Sequence, residues 1–328
     1  MHPGVWTQWR QRVTTLRRTL PAETLTRLKA VEDGESGVAC MDRIAHELTR
    51  TGYLHNHARM WWASFWIHVE RLPWELGADF FFRHLLDADP ASNTLSWRWI
   101  AGLQTRGKAY LVRLSNLEKY SPHYLAGSSA GHHRLADGAV SAAIAEEPAP
   151  PLPQPLPEYA TGLPGTTGHQ GRTGLWLHPD DLVPESGPLS GLTPVSIAAC
   201  LSDRRYRLIY QLSGPRIASL HTVVGDALAR ASAHFGCPAL ALEADDPVQG
   251  IGDWAAGHAL DEVIAFAPMV GPIRDLLPRL GPQLGSRGIR LTLIRRASDQ
   301  HVFPLAKAGF FPFWQKLSRS LQAVVPAE

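Results

Sequence analysis

Cysteine is scarce. The 328 residues contain three, Cys40, Cys200 and Cys237, too far apart for a C-x-x-C pair or a His/Cys cluster. That spacing argues against a disulfide framework or a zinc site and implies free thiols in a reducing cytoplasm. No apolar run reaches the roughly 18 residues that a membrane-spanning helix needs, so no membrane partner is expected. The opening MHPGVWTQWRQRV has no apolar core of a secretion signal. Neither charge sign is in excess: the formal net charge is +2, so any DNA contact would use a local patch and not a polycationic surface. Internal repeats are absent from the sequence.

Tryptophan is abundant by contrast, with 11 in the chain, and its distribution is uneven. Trp6, Trp9, Trp61, Trp62, Trp66, Trp74, Trp97 and Trp99 all fall in the first hundred residues. The length implies about two domains, each large enough to bury its own core.

The pattern along the chain changes twice. Residues 1 to 125 read as all-helical, with segments over 5–15, 22–31, 39–49 and from the TGYLHNHARMWWASFW stretch to Arg71, where Pro73 stops the helix. LGADFFFRHLL forms a further helix. Asp89–Pro90 is a helix start, a carboxylate at the N-cap with proline at the first helical position. Residues 126–172 are rich in proline and then glycine (EEPAPPLPQPLPEY, GLPGTTGHQGRTG) and read as a linker. Over 173–328, short apolar strands VSIAACL (195–201), ALALEA (239–244), EVIAFA (262–267) and IRLTLI (289–294) alternate with helices. That alternation predicts a doubly wound, mostly parallel α/β (Rossmann-like) domain, with FPLAKAGFFPFWQKLSRSL as a last helix on the sheet.

Helical spacing gathers a polar set in the first region. Asn56, Arg59 and Met60 share one helix face, as do Asn93 and Trp97 on the next helix but one. Asp87 stands where it could meet Arg59. A buried Arg–carboxylate pair is geometrically fixed but costly to desolvate, so it suits positioning a polar ligand better than it suits stability.

HNHARM, the Asp87–Ala88–Asp89 triplet, Asn93 and Trp97–Arg98–Trp99, preceded by GESGVACMDRIAHEL, resemble the FAD-binding domain of the DNA photolyase and cryptochrome family, in its C-terminal half. The resemblance covers about residues 34 to 120, and the spacing from Asn56 through Trp74 to Trp97 agrees without a gap. The resemblance implies an α + α/β fold class: an all-helical photolyase-like FAD-binding region followed by the α/β domain. It implies FAD as cofactor and chromophore, with Arg59 and Asp87 as an ion pair over the flavin ring. Asp87, Ala88 and Asp89 would hydrogen-bond isoalloxazine and ribose, and Asn93 would face flavin N5. Trp97 would be the indole nearest the flavin, with Trp74 next in a hole-transfer chain. Asn56, Met60 and Trp99 would line the cavity for a flipped pyrimidine dimer. The implied activity is light-driven electron transfer, with DNA repair by a carbon–carbon lyase and damaged DNA as partner.

The sequence departs from the family pattern in places. Pro90, Thr94, Leu95, Ser96 and Arg98 differ from its commonest residues, and the third tryptophan of the electron chain would fall near Pro21. The phosphate cradle would lie before residue 1, so the expectation is a natural protein longer than this chain.

Other motifs have plainer readings. GIGDWAA (250–256) imitates a dinucleotide fingerprint, yet Asp246–Pro247 makes an ordinary helix start there. His55 and His57 point to different sides of a helix and make no metal pair. His132–His133 reads as a solvated loop, Arg295–Arg296 as an exposed strand end, and Trp61, Trp62 and Trp66 as core packing. Two rivals to the flavoprotein remain: a non-catalytic helical remnant or interaction module that has lost FAD, and a nucleotide-binding activity in the α/β domain.

Overall fold

A computed structural model of the chain describes residues 3–103, 109–135, 159–162, 171–306 and 310–324; most of the expected linker lies outside them. The chain divides into two compact units, 1–154 with 203–220, and 155–202 with 221–328. Among the described residues no helix is long and apolar enough to cross a membrane. No group of three or more His, Cys, Asp or Glu among them could hold a metal ion.

The first unit is built of helices α1 (Pro3–Thr19), α2 (Ala22–Glu32), α3 (Ala39–Thr51), α4 (Asn56–Ser64), α5 (Trp74–His84), α6 (Pro90–Ile100) and α7 (Leu114–Tyr120). The inner face of α1 is Trp6, Trp9, Val13 and Leu16, spaced by three and four residues and all buried. Each such side chain contributes about 1.5–3 kcal/mol of hydrophobic stabilisation. Asp42 anchors the entry to α3 by accepting hydrogen bonds from Ser36 N (2.8 Å), Ser36 Oγ (2.6 Å) and Gly37 N (3.2 Å). Gly52 ends α3 at φ 69°, where an added Cβ would also meet Leu86 Cγ at 2.6 Å.

The helix expected to reach Arg71 stops earlier. α4 ends at Ser64 and passes into a π-helical turn, Phe65–Val69. Phe65, Trp66, Ile67 and His68 are consecutive and all buried. Trp61, Trp62, Ala63 and Ser64 at the end of α4 are buried too, so the helix is enclosed all round across this junction.

A carboxylate ties the helices together from inside. Asp79 on α5 accepts from Arg10 (2.8 Å), Arg17 (3.0 Å) and Arg83 (3.1 Å), and Glu32 joins Arg17 and Arg83 at 3.2 and 2.6 Å. Burial, with Arg83 beside it, lowers His84 to about 4 and keeps it neutral at pH 7.

Residues 126–135 pack onto this unit. Ala39 N donates to Ala130 O (3.0 Å), Arg134 pairs with Glu70 (2.6 Å), and Leu135 is fully buried. His132–His133 opens a 3-10 turn there, with His132 half-buried and His133 exposed. The unit also takes in α8 (Asp203–Leu208) and the start of α9 (Gly214–Phe235), which the strand–helix alternation had assigned wholly to the α/β domain. Arg10 Nη2 donates to Ile209 O (2.8 Å), Ser213 N donates to Arg83 O (2.9 Å), and Tyr210 stacks on Trp6 at 6.5 Å.

The second unit holds a five-stranded, all-parallel sheet in the order β3-β2-β1-β4-β5. Its strands are β1 (Thr173–Leu177), β2 (Ser196–Cys200), β3 (Ala239–Leu242), β4 (Glu262–Phe266) and β5 (Arg290–Ile294). The central strand, β1, is the one the sequence reading did not predict: TGLWL is short and follows directly on the Gly-rich stretch. All five residues of β2 and of β4 are buried, as expected of parallel strands covered on both faces. Helices α10 (Pro247–Gly257) and α11 (Leu277–Ser286) supply Val248, Ile251, Trp254, Leu280 and Leu284 to the same core as Trp176, Ala198 and Val263.

Three sequence readings resolve here. Asp246 caps α10, accepting from Val248 N at 3.1 Å, and GIGDWAA lies within that helix. Gly250 and Gly252 are glycines of close packing: an added Cβ would meet Ala244 Cβ at 2.7 Å and Gln283 Nε2 at 2.6 Å. Arg295 is not an exposed strand end but is buried at 6 % exposure, against Tyr159 and Phe303, while Arg296 pairs with Asp181. The last helix does not cover the sheet either. After α12 (Ala297–Val302), α13 (Phe310–Val324) buries none of the side chains described in it, and Phe310, Phe311, Trp314 and Leu321 are exposed.

The three cysteines are free, and burial raises Cys40 and Cys200 to about 11, which leaves both as inert thiols at neutral pH.

Candidate flavin site in the helical unit

The turn between α5 and α6 organises the candidate site. Asp89 is the N-cap of α6: its carboxylate accepts from Ser92 N (2.7 Å) and its carbonyl from Asn93 N (3.0 Å). Pro90 fixes the first helical position. With Asp89 held, the preceding Asp87 is presented outward. Arg59 reaches it from α4, Nη2 to Oδ2 at 2.9 Å, while Nε donates to Leu54 O at 2.8 Å. The pair differs from the buried, bidentate arrangement expected: one contact joins the groups, and the side chains are 25 % and 59 % exposed. Such a pair contributes at most about 1 kcal/mol to stability, and its remaining polar atoms are open to a ligand.

Asn93 lies one turn into α6 and is 9 % exposed. Its Nδ2 donates to Ala78 O at 2.8 Å, so the nitrogen is committed to the fold and the oxygen is the group left for a partner. Trp97, one turn further, is 2 % exposed. It packs edge-on against Phe81 (5.1 Å), Trp62 (6.2 Å) and Trp66 (6.2 Å), and Trp62 and Trp66 lie 5.1 Å apart. Its Nε1 is buried with no hydrogen-bond partner among the described residues.

Gly77 on α5 makes room for that indole, since an added Cβ would sit 2.3 Å from Trp97 Cη2 and Cζ3. Gly77→Ala is therefore expected to destabilise the unit. Overpacking costs about 1–3 kcal/mol, against a gain in helix propensity of about 1 kcal/mol for alanine. Chemical denaturation would measure the loss, and adding Trp97→Phe in the same chain should recover part of it.

Trp74, at the start of α5, is buried beneath Arg98, whose Cζ lies 5.8 Å from the ring centre. It helps line a cavity of about 330 Å³ with Trp9 and Arg98. No ring contact joins it to Trp97 among the described residues. Trp66, which does contact Trp97, donates from Nε1 to Pro73 O at 2.8 Å, next to Trp74 in the chain. Two indoles read from sequence as core packing thus stand directly beside Trp97.

Asn56 is exposed and donates from Nδ2 to Met60 Sδ at 3.8 Å. Trp99 is 41 % exposed and stacks on Tyr110 at 5.8 Å. Tyr110 lies beside Trp61 of α4, which stacks on His57 at 5.6 Å. Tyr110 belongs to no motif, so nothing in the sequence marks it. His55 serves as the N-cap of α4, accepting from His57 N at 3.3 Å.

The donor set suits a flat polar heterocycle. It comprises a half-open guanidinium–carboxylate pair, an amide oxygen, and a buried indole with an unspent N–H, an omission that by itself costs about 1–3 kcal/mol. Comparison with known proteins agrees. Residues 2–124 match the FAD binding domain of DNA photolyase. The chain is 40 % identical over 74 residues to Cryptochrome-1 of Arabidopsis thaliana, covering 23 % of this chain and 11 % of that protein. It is 35 % identical over 82 residues to the deoxyribodipyrimidine photo-lyase of Salmonella typhimurium, covering 25 % and 17 %. It is 41 % identical over 90 residues to Cryptochrome DASH of Natronomonas pharaonis, covering 27 % and 19 %. The matches thus span less than a fifth of each of these relatives. No solved structure matches the chain. The helical unit is a flavin-binding domain in class. Residues 2–124 carry the FAD-binding domain of the DNA photolyase type, similar to photolyases and cryptochromes, and FAD is the cofactor of that domain.

Proposed function

We propose that the chain is a photolyase/cryptochrome-like flavoprotein of light-driven electron transfer, and that Arg59, Asp87, Ala88, Asp89, Asn93 and Trp97 hold the isoalloxazine half of FAD. The observation that carries this reading is the half-open Arg59–Asp87 pair between α4 and the α5–α6 turn, with the anchored amide of Asn93 and the buried Trp97 on the helix that follows that turn. When bound, FAD supplies the light absorption and the one-electron chemistry. The chain's residues bind, orient and exclude water.

Arg59 and Asp87 offer complementary charge to a polar ring edge. Asp89 holds the turn rigid so that little reorganisation is needed on binding. Asn93, its nitrogen tied to Ala78 O, would offer its oxygen to a proton on flavin N5. Trp97 would pass an electron toward the flavin site, with Trp66, Trp62 and Trp74 as its neighbours in relay, because closely packed indoles couple well and are easily oxidised.

Repair of pyrimidine dimers in damaged DNA is the finer part of the proposal. Asn56, Met60 and Trp99 are the residues that would meet an extruded lesion, Trp99 by stacking, which contributes about 1–3 kcal/mol per base. Extrusion is easiest at a damaged, poorly stacked step. The relatives named as photo-lyases support this reading of the site.

Asn93→Asp tests the assignment. A carboxylate in place of the amide should change which flavin redox state builds up under illumination, read as the absorbance spectrum during steady blue light. An unchanged spectrum would remove Asn93 from N5.

A further inference from the structure

Arg216 lies outside residues 2–124, the segment that matches the FAD binding domain. It stands near the start of α9, 8 % exposed, with its Cζ 4.4 Å from the centre of the Phe82 ring. Its Nη2 donates to Ala88 O at 3.0 Å, while Nε and Nη1 are buried with no partner among the described residues. Burial lowers its pKa to about 10, against the fields of Tyr206, Asp87 and Asp89, which favour the charge, so it is a cation at neutral pH.

A buried guanidinium with a single hydrogen bond is an expensive way to fill space beside a phenylalanine; an apolar side chain would do so at lower cost. What the arginine does provide is the third tether of the 87–89 turn. Asp87 is held through its carboxylate by Arg59 from α4, Asp89 through its carboxylate by the α6 N-terminus, and Ala88 through its carbonyl by Arg216. All three residues are those proposed above to bind the flavin.

We infer that Arg216 is a positioning residue of the flavin site: it pins the Asp87–Ala88–Asp89 turn through the Ala88 carbonyl and places a buried cation against it. The inference rests on the flavin reading of that turn. The charge has a consequence that simple anchoring lacks. A fixed cation beside the turn favours a bound anion, so it should raise affinity for reduced, anionic FAD more than for oxidised, neutral FAD.

The experiment compares the full chain with Arg216→Met, which keeps length and removes charge, and Arg216→Lys, which keeps charge and loses the planar fork. FAD is titrated in oxidised and in dithionite-reduced, oxygen-free form, and amide hydrogen exchange is followed over 85–93. In Arg216→Met, exchange at the turn should quicken while α3 is unaffected, and the preference for reduced over oxidised FAD should fall about tenfold, the scale of one charge pair in a partly desolvated site. Arg216→Lys should recover part of that preference. Equal weakening of both forms would reduce Arg216 to a structural anchor and overturn the inference, as would unchanged exchange at the turn. Failure of the unaltered chain to bind FAD in either form would instead sink the flavin reading and the redox role with it, whereas exchange would still report whether Arg216 pins the turn.

Discussion

Arg59→Ala is expected to weaken FAD binding about ten- to a hundredfold while leaving the fold nearly as stable as before. The two effects separate for a physical reason. The Arg59–Asp87 pair is joined by one contact and Asp87 is 59 % exposed, so in the absence of ligand its loss costs at most about 1 kcal/mol. With a ligand over it, the same guanidinium is desolvated and makes a charge-assisted bond of about 1.5–3 kcal/mol, which converts to that range of affinity. Asp87→Asn should act in the same direction with a smaller effect, since an amide still accepts a hydrogen bond. Titration of FAD by fluorescence, together with thermal unfolding, measures both quantities. Gly77→Ala is the counter-example on the neighbouring helix: its first effect is on stability. An Arg59→Ala chain that bound FAD as tightly as the unaltered chain would place the flavin elsewhere.

Trp97→Phe should abolish light-driven reduction of bound FAD and leave binding in place. The benzene ring retains much of the packing against Phe81, Trp62 and Trp66 but is far harder to oxidise than an indole. Trp66→Phe, Trp62→Phe and Trp74→Phe then rank the neighbours. Trp62 and Trp66 contact Trp97 directly, whereas Trp74 has no ring contact with it among the described residues. The larger loss is expected at whichever indole passes charge onward. Illumination with an external reductant and absorbance at the flavin band reads all four variants. Undiminished photoreduction in Trp97→Phe would remove Trp97 from the relay.

The main features of the site were legible because they are local. Asp89–Pro90 announces a helix start in any context, and three- and four-residue spacing puts Asn56 with Met60 and Asn93 with Trp97 on common faces. Arg59 and Asp87 are 28 residues apart, yet two helices and a turn suffice to bring them together. What sequence periodicity did not show depends on longer-range packing. The exposure of the Arg59–Asp87 pair is set by what surrounds it. The three arginines on Asp79 come from α1 and from α5 itself, and no pattern in LGADFFFRHLL marks that Asp79 is buried. Arg216 meets Ala88 across 128 residues of chain, from a helix whose strand–helix context pointed to the other unit. In the α/β unit, four strands were apparent as apolar runs, but the central strand β1 was hidden by the Gly-rich stretch before it. The terminal FFPFW segment looked like a helix that must be covered; it is a helix, and its aromatic side chains remain largely exposed.

The flavin claim is tested most directly by the absorbance spectrum of the purified chain after incubation with FAD and removal of free cofactor by gel filtration. The expected result is a yellow protein whose flavin bands co-elute with it in near-equal amount and bleach under blue light with a reductant present. A colourless protein, even from excess FAD, would contradict it and leave the first unit a helical module without a cofactor.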